Sequence, residues 1–139
     1  MALERVVLDT NVFISGVLSK TSTPARCIDR AVEEGQLIAS YATLRELAVK
    51  LLSPEFDRYV ARQRRESLLL RLAPIIEIVE IVQEFHACRD GNDDKFLDVA
   101  VNGRADVLVS GDRDLLTLHP FRGIAILTPT SYLKRHARR

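Results

Sequence analysis

The sequence predicts an α/β fold, a three-layer α/β/α arrangement around a central and mainly parallel sheet. Short apolar runs rich in β-branched residues alternate along the chain with segments that carry helix caps and stops, and strands separated by helices form parallel sheets covered on both faces. Turn-forming polar residues, acids above all, follow several of those runs, at the strand ends where an open parallel sheet gathers a site.

Arg5 to Leu8 reads as the first strand by its β-branched run, and it ends in Asp9-Thr10-Asn11, residues that favour turns and helix starts. The apolar stretch 12–18 predicts a helix. Residues 19–23 form a loop closing on Thr23 as N-cap, with Pro24 at the first helical position and Gly35 stopping the helix after Glu34. A short strand over 36–40 follows. Thr43-Leu-Arg-Glu46 then opens a helix as a capping box, and that helix extends through Leu52 until Ser53-Pro54. A longer helix is predicted over 55–72, its face rich in Arg58, Arg62, Arg64 and Arg65. Ile75 to Val82 is β-branched and interleaved with Glu77 and Glu80, the period of a strand wetted on one side. Beyond a polar loop at 88–94 come a helix over 95–102 stopped by Gly103, a strand over 105–110 and a turn at 111–114. A short helix from Leu115 to near Pro120, a last strand over 124–127 and a terminal helix after Pro129 complete the chain.

With 139 residues, 47% of them apolar and 28% charged, the chain suits one domain over residues 1–139, long enough for one core and too short for two. Its longest apolar runs are broken by acids, so no segment approaches the roughly 20 residues of a membrane span. An N-terminus with an acid at position 4 and neither a basic start nor a cleavage site predicts a cytoplasmic protein. Cys27 and Cys88 stand apart without a CxxC or Cys/His cluster, which predicts core or half-buried thiols. The net charge of +1 hides a segregation: seven of the ten aspartates fall within 90–114, and after Leu115 there is no acid, only Arg122, Lys134, Arg135, Arg138 and Arg139. An acidic centre beside a basic tail suits a protein that holds a cation next to a polyanion. A solvated terminus is the plainer account of the same charges.

Four acids fall at the carboxyl edge of the expected sheet. Asp9 ends the first strand, Glu46 lies one turn into the helix after the second, Asp94 begins the helix after the long loop, and Asp112 follows the strand ending at Ser110. Asp98, four residues after Asp94, and Asp114, two after Asp112, can add to the cluster. Two carboxylates about 4 Å apart repel by ~4 kcal/mol at an effective dielectric near 20, so convergence of several implies a hard divalent cation. Each acid also has a plainer role: Asp9, Asp93 or Asp94 as a helix cap, Glu46 in the box with Thr43, Asp112 as a turn residue beside Gly111. The convergence of all four is what favours a site.

The same residues carry a resemblance. Val7-Leu-Asp-Thr-Asn-Val-Phe-Ile-Ser15 resembles the opening motif of PIN-domain ribonucleases, an aspartate at the end of the first strand followed by a hydroxyl residue and an asparagine. Asp93-Asp-Lys-Phe-Leu-Asp-Val-Ala100 is similar to the family's D-x-x-(I/L)-x-x-A helix, and Leu108-Val-Ser-Gly-Asp-Arg-Asp-Leu-Leu116 to its late strand with acids behind it. Glu46 matches the second motif in place and type. The likeness spans nearly the whole chain in the family's order, and the nearest branch is the VapC-like toxins of bacterial toxin–antitoxin pairs.

What the resemblance implies is a PIN-like fold and a Mg²⁺- or Mn²⁺-dependent endoribonuclease. Asp9, Glu46, Asp94 and Asp112 would be its catalytic acids, with Asp9, Asp94 and Asp112 on the metal. The spacing by two leaves open which of Asp112 and Asp114 approaches it. Thr10, Asn11 and Ser110 would orient ligands or a water, with Asp98 and Asp114 as auxiliaries. Lys134, Arg135, Arg138 and Arg139 are the expected RNA contacts, ahead of the 58–65 arginines. The expected partners are RNA, a cognate antitoxin and a second copy pairing across helices at 23–34 and 43–72. His86, His119 and His136 are not spaced as ligands or as a dyad and are assigned no catalytic part. The alternatives are a PIN-like module that binds RNA or protein without cutting, and a phosphotransfer domain with Asp9 as nucleophile, which lacks the D-x-D start of that class.

Overall fold

The computed structural model describes residues 3–137. Its elements, in chain order, are β1 (Glu4–Leu8), α1 (Thr10–Leu18), α2 (Thr23–Glu34), β2 (Gly35–Ala39), α3 (Tyr41–Leu51), α4 (Arg62–Leu72) and β3 (Glu77–Ile78), then α5 (Asp94–Asn102), β4 (Val107–Val109), α6 (Arg113–Leu116), β5 (Ala125–Leu127) and α7 (Pro129–Ala137). The five strands form one sheet in the order β3-β2-β1-β4-β5 with every pairing parallel. The chain therefore winds outward in both directions from β1, and the reversal falls between β1 and β4.

Burial on both faces explains the unbroken apolar strands. Successive side chains point to opposite faces: Val6, Leu8, Val107 and Val109 join a core with α1, α2, α3, α4 and α7, whereas Val7 and Leu108 join a second core with Leu97, Ala100 and Leu115 from α5 and α6. Both cysteines are free thiols, Cys27 inside the first core and Cys88 half-buried.

Four elements depart from the pattern read in the sequence. Ser22, not Thr23, caps α2, its hydroxyl accepting from the Ala25 amide. The capping box of α3 joins Ser40 to Thr43: the Thr43 amide donates to Ser40 Oγ and the Ser40 amide to Thr43 Oγ1. The helix thus begins at Tyr41, and Glu46 is left free of any capping role. The helix expected over 55–72 breaks into a single 3₁₀ turn at Pro54–Phe56 and α4. Its cause is Arg65, which points inward and is fully buried. The guanidinium donates to the carbonyls of Leu51 (2.8 Å), Ser53 (3.0 Å) and Val60 (3.1 Å) and pairs with Asp57. Residues 51–60 fold around a cation that sequence pattern alone assigns to a solvated face.

The strand expected over 75–82 also shortens, to the two residues of β3. Beyond it the chain is held by one face of α5: Asn102 Oδ1 accepts from the amides of Val82 and Gln83, Asp98 Oδ1 from Phe85, and Asp94 Oδ1 from Ala87 and Cys88. Residues 94, 98 and 102 are spaced by four, so they form a single ladder along the helix. These side-chain acceptors satisfy amides that a longer strand would have paired with β2. Asn102→Ala is expected to cost about 1 kcal/mol and to speed amide exchange at Val82 and Gln83, with exchange elsewhere in the sheet unchanged.

Candidate functional site

The reversal of winding places a crevice outside the carboxyl ends of β1 and β4, because the loops leaving the two strands run to opposite faces of the sheet. Asp9 leaves β1 into this crevice, its amide still paired with the Val109 carbonyl at 3.0 Å. It is buried, and it caps α1 by accepting the Asn11 amide at 3.0 Å. From β4, Ser110 donates its hydroxyl to Asp9 Oδ2 at 2.7 Å and accepts the Asp112 amide at 2.9 Å. One hydroxyl thereby fixes the two loops to each other. Asp112 in turn caps α6, accepting the Asp114 amide.

Asp93, Asp112 and Asp114 each present a carboxylate oxygen within 4.8 Å of the others. Asp112 and Asp114, spaced by two, both face the same point as Asp93. Oδ2 of Asp93 is buried and has no hydrogen-bond partner. Ionised carboxylates are acceptors only, so the acids facing Asp93 cannot satisfy it unless a proton or a cation is shared. Burial, the charge of Asp112 and a proton shared with the Asp112 carboxyl, and then the charge of Asp9, accordingly raise the Asp93 carboxyl from 3.8 to about 6. Burial also raises Asp9, against the bonds from Ser110 and Asn11, with Asp112 and Glu46 adding to the rise. An orphaned buried carboxylate oxygen among hard oxygen donors fits Mg²⁺ or Mn²⁺.

The remaining predicted residues are placed as follows. Glu46 reaches the crevice from α3, where Thr10 donates to its Oε2 at 2.8 Å and the ammonium groups of Lys95 and Lys50 lie 3.0 and 3.4 Å from its Oε1. Burial alone would raise Glu46, but Lys95, Thr10 and Lys50 outweigh it and the carboxyl is lowered. Asp94 turns its Oδ1 to the Ala87 and Cys88 amides, and Asp98 holds Phe85. The side chain of Asn11 is exposed at the crevice mouth. His119 accepts the Ile126 amide at 2.8 Å, and His86 is exposed. Lys134 is exposed, while Arg135 pairs with Glu4 at 3.2 Å, at the amino end of β1. α7 therefore leads from the crevice edge to the opposite edge of the sheet; Arg138 and Arg139 lie outside the described residues. Arg64 and Arg71, with Lys20, line a groove of about 610 Å³ against α1 and α2.

Sequence reasoning passed over Asp93 and Lys95. Consecutive residues at a helix start point about 100° apart, and the D-x-x-L-x-x-A spacing selects Asp94 from the tandem pair. The available signal for Lys95 was a lysine in a first helical turn, where the macrodipole favours acids.

The PIN domain profile matches residues 5–114, from β1 to Asp114 in α6. The chain belongs to the PIN domain family. That family consists generally of nucleases. This PIN domain is 34% identical over 118 residues to the uncharacterized protein MJ1680 of Methanocaldococcus jannaschii, covering 82% of this chain and 74% of the relative. Among solved structures it is similar to PAE2754 from Pyrobaculum aerophilum, with a TM-score of 0.64, 19% identity, and 100% and 92% of the two chains covered. It is also similar to VapBC2 from Rickettsia felis, solved bound to a DNA fragment from their promoter, with a TM-score of 0.58, 13% identity, and 89% and 98% covered. At these identities the two structures establish the fold, and they agree with the three-layer α/β/α arrangement read from the sequence. Among the described residues no helix is long and apolar enough to cross a membrane.

Proposed function

We propose that this PIN domain is a divalent-metal-dependent endoribonuclease and the toxin of a toxin–antitoxin pair. The observation that carries the proposal is the meeting of Asp93, Asp112 and Asp114 within 4.8 Å, with a buried Asp93 oxygen that no donor satisfies. Asp93, Asp112 and Asp114 would hold Mg²⁺ or Mn²⁺, with Asp9 behind them. Such an ion activates water for in-line attack at phosphorus and offsets charge on the leaving oxygen. Ser110 keeps Asp9 and the Asp112 loop in register, and Asp9 fixes the start of α1 so that Thr10 meets Glu46. Asn11, exposed beside Asp9, is available to orient a water or a phosphate.

Likeness to VapBC2 supports an antitoxin partner. Exposed Tyr41 and Val49 on α3 and Leu70 on α4 offer apolar surface that a second copy would cover, a state read by light scattering. Incubating purified protein with mixed RNAs in EDTA, Mg²⁺ and Mn²⁺ tests the activity: cleavage is expected with metal only. Binding without cleavage under all three conditions replaces the nuclease with a binding module.

Glu46→Gln separates chemistry from scaffolding, since the capping of α3 rests on Ser40 and Thr43. Stability is expected to change by less than about 1 kcal/mol while cleavage falls, read by urea denaturation beside the nuclease assay. A less stable variant that cleaves normally would leave Glu46 a structural residue.

A further inference from the structure

We propose that Lys95 is a substrate-contacting residue, its ammonium held by Glu46 at the rim of the aspartates to take an RNA backbone phosphate. The inference rests on the part of the functional reading that makes RNA the ligand. A cluster of carboxylates attracts a cation but repels a polyanion, so a phosphate must meet positive charge beside it. Lys95 stands two residues after Asp93, in the first turn of α5, where the helix dipole opposes a cation. Departures from local preference of this kind concentrate at functional sites.

The geometry fixes where that charge sits. Glu46 Oε1 lies 3.0 Å from Lys95 Nζ, and the other oxygen of Glu46 takes the hydroxyl of Thr10, the residue next to Asp9. A chain of contacts thus runs from the β1 terminus to the ammonium. An ammonium has three donors, and Glu46 Oε1 engages one. The Lys95 side chain is 28% exposed, so a ligand can reach it from solvent, and its ammonium also lies 5.9 Å from the centre of the Phe96 ring. Lys50, also on Glu46, is farther at 3.4 Å and half exposed, and its partner is one helical turn away on the same helix. A plain stitch between α3 and α5 would need neither the exposure nor the link through Glu46 and Thr10 to the β1 terminus.

The experiment measures affinity of metal-free protein for a short fluorescein-labelled single-stranded RNA, in EDTA, across a range of NaCl concentrations. Each phosphate contact on a single strand contributes about 0.7 to the slope of log K against log salt. Lys95→Gln is expected to lower that slope by about this amount and to weaken binding about tenfold, and Lys95→Arg to restore both. A lost tie between helices would not change the number of released counterions. In the unaltered protein, bound RNA is expected to protect Lys95 from acetylation, a result independent of how any variant folds. An unchanged slope in Lys95→Gln, an unprotected Lys95, or no RNA binding by the wild type overturns the inference. Cleavage plays no part in these measurements. Binding through Lys95 by a protein that does not cut overturns the nuclease reading alone, and cutting with an indifferent Lys95 overturns this inference alone.

Discussion

Asp93→Asn is expected to reduce RNA cleavage more than about 100-fold and to abolish measurable Mn²⁺ binding, while the metal-free protein melts at a higher temperature than the wild type. Three carboxylate oxygens within 4.8 Å of one another repel, by about 3 kcal/mol or more per pair at an effective dielectric near 20, and removing one charge relieves two of those pairs. Asp94→Asn is the contrasting variant. Asparagine keeps the oxygen that accepts the Ala87 and Cys88 amides, so Mn²⁺ binding and cleavage are expected to persist. Calorimetric titration with Mn²⁺ and melts in EDTA decide between the neighbours. Loss of metal binding in Asp94→Asn with retention in Asp93→Asn would reverse the assignment.

The same carboxylate gives the site a pH dependence of known sign. Its carboxyl rises from 3.8 to about 6 in the folded protein, so the folded state binds more protons than the unfolded one between those values. The contribution of Asp93 to metal-free stability is then full below pH 3.8 and is lost as the pH rises through about 6. Bound Mn²⁺ displaces that proton, so affinity for the ion falls as the pH drops below about 6. Melts in EDTA and in excess Mn²⁺ across this range are expected to slope in opposite directions.

Arg65→Met is expected to cost about 3 kcal/mol or more, a loss of roughly 10 °C in Tm for a chain of this size. Methionine fills much of the volume but leaves the carbonyls of Leu51, Ser53 and Val60 without the donors that Arg65 supplies. Asp57→Asn is expected to cost less than about 1 kcal/mol, because Asp57 is 55% exposed and water replaces its share of the pair. Urea denaturation of both variants separates the buried donor fork from the surface half of the ion pair. Equal stability of Arg65→Met and the wild type would show that the 51–60 segment holds itself.

Much of this molecule is legible in its sequence because the signals are local. The apolar runs at 5–8, 105–110 and 124–127, the stops at Gly35 and Gly103, and the acids behind the strands specify alternating strands and helices with a polar edge. A parallel sheet then has few ways to place Asp9 and Asp112 other than side by side at the reversal of winding. The tertiary structure decided what depends on direction and on distant partners. The sequence pattern shows a tandem Asp93-Asp94 but cannot say which carboxylate turns to the crevice and which to the 87–88 backbone, since that depends on how the preceding loop enters α5. Arg65 reads as one more surface arginine until residues 51–60 close around it, and Glu46 reads as a cap until Ser40 and Thr43 take that role. Arg135 reads as part of a basic tail until α7 carries it to Glu4 at the far edge of the sheet. In each case residue type and spacing marked the charge, and the partner that gives it its meaning came from another part of the chain.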